Sequence, residues 1–167
     1  MEDIPLISRY WYGLTPAELN RMGADPSKMP NKEAFEQMLT EQLAASMEEK
    51  QGFATIWLVN DTPVGHCNIN GIQFGRQANM HLHLWNPSTR QKGMGANLVK
   101  QSLPLFFENF QLKSLFCEPY ALNPAPNKTL EKIGFELLKE YVTTPGLINF
   151  EQPVKRWVLT HAKWKTF

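Results

Sequence analysis

Thiol chemistry is nearly absent from this chain. Its 167 residues include two cysteines, Cys67 and Cys117, each set inside an apolar run. There is no CxxC pair and no cysteine–histidine spacing suited to a metal, so a disulfide framework and a thiolate metal site are both excluded. Both residues read as reduced core thiols of a cytoplasmic protein. Charge of one sign is also missing: 17 Lys and Arg against 16 Asp and Glu leave a net charge of +1. Nothing global therefore favours nucleic acid or an anionic membrane, and any anion site has to be local. No apolar run approaches transmembrane length, and "MEDIPLISRYWYGL" has no basic leader region. Internal repeats and low-complexity tracts are lacking too.

What is present is enough hydrophobic residue, 43% against 20% charged, to expect a packed core rather than disorder. The length suits one domain spanning 1–167. The most informative stretch is "STRQKGMGANLVKQSL", Ser88 to Leu103. It puts Gly93 and Gly95 at the mouth of a helix, with Arg90 and Lys92 just before them. Glycine weakens a helix start, so a bare backbone there has to serve something else. The first N–H groups of a helix have no partner inside it, and the macrodipole adds partial positive charge. The combination predicts an anion nest.

The rest of the chain gives an element order. "IPLISRYWYGL" (Ile4 to Leu14) is apolar and aromatic and is predicted as a strand. "TPAE" (Thr15 to Glu18) is a capping box that opens a short helix. A loop ending in Asn31 then caps a helix of about five turns whose stripe runs from Phe35 to Met47. Strands follow at Phe53 to Val59, Val64 to Asn70 and Ala78 to Trp85, the first two joined by a turn at "NDTP". The glycine motif leads a helix to about Phe110, with Pro104 inside it. A strand at Lys113 to Tyr120 and a helix from Pro126 ended by Gly134 come next. The last strands are Phe135 to Thr143 and Val154 to Trp164. Strands joined by short turns are antiparallel, and the strand–helix–strand unit around Gly93 is a parallel crossover. The fold class is therefore α/β with a mixed sheet.

Two motifs in this order carry a resemblance. Arg90-Gln-Lys-Gly93-Met-Gly95 resembles the Q/R-x-x-G-x-G/A signature of the GNAT N-acetyltransferases, and "NPAPNKTLEKIGF" (Asn123 to Phe135) is similar to that family's second conserved stretch. The likeness covers nearly the whole chain and is closest to the Rim-like group, which acetylates protein N-termini. It implies a mostly antiparallel central sheet with one splayed parallel pair and helices on both faces. It also implies acetyl-coenzyme A as co-substrate, no metal, and an amine acceptor that is a small molecule or a protein N-terminus. The pyrophosphate would lie in the nest of Arg90, Gln91, Lys92, Gly93, Met94, Gly95 and Ala96. The pantetheine arm would pair with the backbone of Leu84, Trp85 and Asn86 like an added strand, with Asn123 and Asn127 on its other side. Leu130 stands where many relatives place an acidic tyrosine, and Pro126 where Rim-like members carry a serine. Water or the acceptor's own proton would then protonate the leaving thiolate.

The base is read from strand alternation. In "NMHLHLW", Met80, Leu82 and Leu84 share the core face, while His81, His83 and Trp85 share the other. His83 is the first candidate because an unperturbed imidazole titrates near neutrality; Glu118 is second and His81 third. A backbone N–H near Trp85 is the expected oxyanion donor. Three other readings are weighed. A non-catalytic acyl-coenzyme A sensor keeps the fold without the missing hydroxyls. A dinucleotide site would need GxGxxG where the chain has "GMGANL". A metal site fails because His81 and His83 lack a clear third ligand. The chain is expected to be cytoplasmic, a monomer or homodimer, without nucleic-acid or membrane partners.

Overall fold

The computed structural model describes residues 2–86 and 93–167. Six helices and six strands are described, with a short 3-10 turn at Pro26–Lys28. In chain order they are α1 (Ile4–Gly13), α2 (Pro16–Arg21), α3 (Lys32–Ala44), β1 (Gly52–Val59), β2 (Thr62–Gln73), β3 (Gln77–Leu84), α4 (Met94–Asn109), β4 (Ser114–Cys117), α5 (Pro124–Ile133), β5 (Glu136–Thr143), β6 (Gln152–Thr160) and α6 (His161–Trp164). The sheet runs β1-β2-β3-β4-β6-β5, antiparallel everywhere except for the parallel pair β3 and β4.

The first element is a correction: Ile4 to Gly13 is a helix, not a strand. Its buried residues, Ile7 and Ser8, and the neighbouring Ile4 and Trp11 recur at three- and four-residue spacing. Helical periodicity outweighs the strand preference of the aromatics, and Pro5 fits the first turn. Two further differences are smaller. α3 stops at Ala44, short of the five turns expected, because Lys50 folds back onto its end. The Lys50 ammonium donates to the carbonyls of Gln42, Leu43 (3.1 Å) and Ala45 (2.8 Å), which the helix leaves unpaired. The last strand ends at Thr160, whose hydroxyl accepts from the Lys163 N–H and caps α6.

The local signals elsewhere act as predicted. Thr15 and Glu18 form the reciprocal capping box, and the Asn31 side chain accepts from the Ala34 N–H at 2.8 Å. Asn60 and Asp61 both take positive φ, which matches the twist of a tight hairpin. Gly134 ends α5 at φ +106°.

One face of the sheet carries the main core. Ile69, Met80, Leu115 and Leu159 pack there under Val99, Leu103, Phe106 and Phe107 of α4 and Leu130 of α5. Cys67 and Cys117 lie in this layer as free thiols. The other face carries α1, whose Tyr10 and Trp11 sit against the histidines of β2 and β3. β3 and β4 pair at only three positions, from Gln77↔Ser114 to Asn79↔Phe116, and then diverge. β3 continues alone on that side to Leu84, held by β2 through Gly65↔Leu84. The result is a V-shaped gap in mid-sheet, opening toward the start of α4.

Candidate active site

Gly93 caps α4 in the left-handed region, at φ +91°, with no side chain bonded to the helix start. Among the described residues the first bond of this helix is Asn97 N–H to the Gly93 carbonyl, at 3.3 Å. The N–H groups of Met94, Gly95 and Ala96 have no acceptor among the described residues, and a helix start of this kind has the polarity an anion needs. The two glycines act differently. Gly93 is required by its backbone angle. At Gly95 a Cβ would meet nothing nearer than 3.8 Å, so the protein itself does not demand glycine there. Arg90, Gln91 and Lys92, the remaining nest residues, lie outside the described residues.

A cation that the sequence reading missed stands beside this helix end. The Lys132 Nζ of α5 lies 3.0 Å from where a Gly93 Cβ would be. Nothing local in "LEKIGF" signals this, because the contact depends on how α5 packs on α4.

The edge of β3 facing the gap is set by alternation. The Trp85 N–H donates to the Val64 carbonyl at 3.0 Å, so Trp85 turns its backbone toward β2. By the same alternation His83 and His81 do so too, while Leu84, Leu82 and Met80 turn theirs toward the gap. β4 supplies no partner there beyond Asn79. This narrows the expected donor near Trp85: the Trp85 N–H is committed within the sheet, and the adjacent Leu84 turns its N–H toward the gap. Asn86 follows, exposed, just past the strand.

Alternation does put His81, His83 and Trp85 on the face opposite Met80, as expected, but their environment differs from the one assumed. His66 of β2, absent from the sequence-derived set, completes the cluster. The Trp85 indole donates to His66 Nδ1 at 2.7 Å, and His66 stacks on His83 with centroids 4.6 Å apart. The Tyr10 hydroxyl lies 3.4 Å from His83 Nδ1, and the Trp11 ring meets His83 edge-on at 4.9 Å. Burial pushes the His66 imidazole down to about 3, with His81 adding to the effect. Burial, then His66 and His81, also hold His83 well below its ordinary value. His81 is lowered by burial against the opposing pull of Glu118, and its Nε2 has no partner among the described residues. The premise that His83 titrates near neutrality is therefore corrected: all three imidazoles are neutral at pH 7.

Glu118 sits just past β4, across the gap. Its Oε1 accepts from the Arg156 guanidinium and from the Tyr141 hydroxyl, both at 2.5 Å. Burial, and then the bond to Glu118, push the Tyr141 hydroxyl up, so it stays a donor. The Arg156 guanidinium also lies over the Phe116 ring, 4.3 Å from its centroid. Glu118 is thus the centre of a three-residue network, with both bonds on Oε1.

Asn123 and Asn127 diverge in role. Asn123 caps α5, its side chain accepting from the Ala125 N–H at 3.4 Å. Asn127 is buried and directed inward. It donates to the carbonyls of Tyr120 (3.1 Å) and Asn123 (2.8 Å) and accepts from the Trp157 indole (2.9 Å). Its side chain fastens the 120–123 loop to β6, and Trp157 is a core residue. Leu130 is fully buried, so no hydroxyl stands at that place. Among the described residues no group of three or more His, Cys, Asp or Glu is arranged to hold a metal ion.

The comparisons with known proteins agree with this geometry. A family model described as an acetyltransferase (GNAT) domain matches residues 2–136. No curated protein is significantly similar to the chain in sequence. Among solved structures, a variant of the spermidine N-acetyltransferase SpeG of Vibrio cholerae superposes with a TM-score of 0.73 at 16% identity, over 98% of this chain and 91% of that one. An aminoglycoside acetyltransferase, AAC(6')-Ib, in complex with coenzyme A and kanamycin gives 0.72 at 19%, over 99% and 93%. RimL, a ribosomal L7/L12 alpha-N-protein acetyltransferase, in complex with coenzyme A gives 0.77 at 12%, over 97% and 90%. An uncapped α4 start, a splayed parallel pair and a family match over most of its length lead to one assignment: the chain belongs to the GNAT family of acetyl-coenzyme A-dependent acetyltransferases.

Proposed function

We propose that the gap between β3 and β4 receives acetyl-coenzyme A and that an amine attacks it from the α1 face. The observation that carries this reading is the start of α4, whose first N–H groups have no partner among the described residues, lying beside the stretch of β3 that β4 does not pair. The N–H groups of Met94, Gly95 and Ala96, with Lys132 next to them, would hold the pyrophosphate. Arg90, Gln91 and Lys92 would complete that nest. Leu84, Trp85 and Asn86 would line the arm, with the Leu84 N–H as the donor for the thioester oxygen. Asn123 would border the arm across the gap, and Asn127 would hold that border in place. When bound, the co-substrate supplies the activated acetyl group.

The protein's own part is to orient the amine and strip its proton. The neutral imidazoles and the rings of α1 make a poorly solvating wall, which lowers the pKa of an ammonium placed against it. An amine that enters as its neutral form needs only a modest acceptor, and His83, paired with Tyr10, is the nearest one to the gap. Glu118 and then His81 remain the next candidates. The chain is read as cytoplasmic and Rim-like, acting on a small amine or a polypeptide N-terminus. No helix among the described residues is long and apolar enough to cross a membrane.

The test is thiol release from acetyl-coenzyme A with a panel of amines, together with His83→Ala and Glu118→Gln. Amine-dependent release is the expected result, with His83→Ala losing more rate than Glu118→Gln. Unchanged rate and unchanged acidic limb in His83→Ala would remove His83 as the proton acceptor.

A further inference from the structure

The walls beside β3 also bear on which amine fits. α1, β2 and β3 contain no aspartate or glutamate at all. They bring aromatic surface instead. The rings of Tyr10 and Trp85 lie nearly parallel with centroids 6.3 Å apart, and Trp11 meets His83 at 4.9 Å. Tyr10, Trp11 and Trp85 are each only partly buried, so they retain surface for a ligand. A cavity of about 480 Å³ opens beside two of them, lined by Tyr10, Leu14, Pro63 and Trp85 together with the charged Arg9 and Glu18.

The charges around this space are balanced. Glu18 Oε2 accepts from the N–H and the hydroxyl of Thr15, at 2.8 and 2.7 Å. Across the gap Glu118 is held by Arg156. Among the described residues the cavity lining thus sets one cation, Arg9, against one carboxylate, Glu18, and Arg156 offsets Glu118, so no net negative charge is left there for a second ammonium. A polyamine or aminoglycoside brings several ammonium groups, and each one removed from water needs an acidic partner. A lone amine surrenders its charge before it attacks and needs no such partner. Flat aromatic walls favour a flat apolar flank on that amine.

We propose that the acceptor is a small primary amine carrying a single positive charge and an aromatic flank, seated against Tyr10, Trp11 and Trp85, and that polyamines and aminoglycosides are poor acceptors. This rests on the acetyl-transfer reading above and separates the chain from the spermidine and aminoglycoside enzymes that share its fold.

The test uses the full chain with two readouts. Binding without chemistry is followed by calorimetry, titrating 2-phenylethylamine or spermidine into protein saturated with coenzyme A. Turnover is followed by thiol release from acetyl-coenzyme A with 2-phenylethylamine, spermidine and kanamycin. The expected result is measurable binding of 2-phenylethylamine and a kcat/KM at least a hundredfold above the other two. Trp11→Leu, which keeps an apolar side chain but removes the aromatic ring, should raise KM for 2-phenylethylamine about tenfold and leave the acetyl-coenzyme A Kd unchanged. Equal or better turnover of spermidine or kanamycin overturns the proposal, as does the failure of 2-phenylethylamine to bind. A protein that does not bind acetyl-coenzyme A would instead contradict the reading beneath it.

Discussion

Acid should loosen this fold earlier than its carboxylates would, because of His66. The residue is 2% exposed, accepts the Trp85 indole and stacks on His83, and its pKa falls to about 3. In the unfolded chain it returns to about 6.5. The folded state therefore binds fewer protons than the unfolded state between these values, and stability falls as pH falls through that window. The contribution is fully present above pH 6.5 and is lost progressively toward pH 3. Between pH 7 and pH 5 it amounts to about 2 kcal/mol for this one group. That is a substantial share of a typical stability of about 5–15 kcal/mol. His81 and His83 act in the same direction. The assay is urea unfolding at pH 7 and pH 5, followed by circular dichroism, for the wild type and His66→Asn. Asparagine keeps an acceptor near the Nδ1 position and cannot titrate. Carboxylate effects cancel in the comparison, so the variant should lose about 2 kcal/mol less between the two pH values. Equal losses in both proteins would refute the claim that His66 is held neutral.

Two other perturbations test neighbouring parts of the account. Lys132→Ala should weaken acetyl-coenzyme A binding about fivefold at low salt, with the difference shrinking in 0.5 M salt because an exposed charge is screened; equal affinity at low salt would show that Lys132 plays no part. Asn127→Leu should destabilise the fold by about 1–3 kcal/mol, since it strands the buried Trp157 indole and removes a donor from two part-buried carbonyls; chemical denaturation measures this, and no measurable loss would mean that the 120–123 loop is held by other contacts.

Much of the fold was legible because its signals are local. The capping box at Thr15, the cap at Asn31, the tight turn at Asn60 and Asp61, and the glycine stop at Gly134 each act within a few residues of sequence. The α4 start was legible for the same reason, since glycine at positive φ declares itself. α1 was misread because five aromatic or β-branched residues suggested a strand, while the deciding fact was the three- and four-residue spacing of the side that packs. The site was legible only where it depended on strand alternation. His66 and Lys132 join it through pairing of β2 with β3 and packing of α5 on α4, contacts between segments far apart in sequence. Asn127 was placed beside the pantetheine arm by family pattern, and its bonds to the Trp157 indole and to the carbonyls of Tyr120 and Asn123 carry no local sequence signal. The expectation of a donor near Trp85 could not be narrowed to Leu84 from sequence, because which N–H faces the gap is fixed by the register with β2.

The most direct measurement is a calorimetric titration of acetyl-coenzyme A into the wild type and into Gly95→Val. A Cβ at Gly95 meets only ordinary contacts, from 3.8 Å, and valine has a higher helix propensity than glycine; circular dichroism checks that the variant keeps the fold. Its methyl groups would cover the first N–H groups of α4. At Gly93 the same substitution would also strain a backbone at φ +91°, which is why Gly95 gives the cleaner result. The account predicts saturable binding to the wild type, one molecule per chain, and at least a hundredfold weaker binding to a folded Gly95→Val. A wild type that does not bind, or a variant that binds equally well, would contradict it.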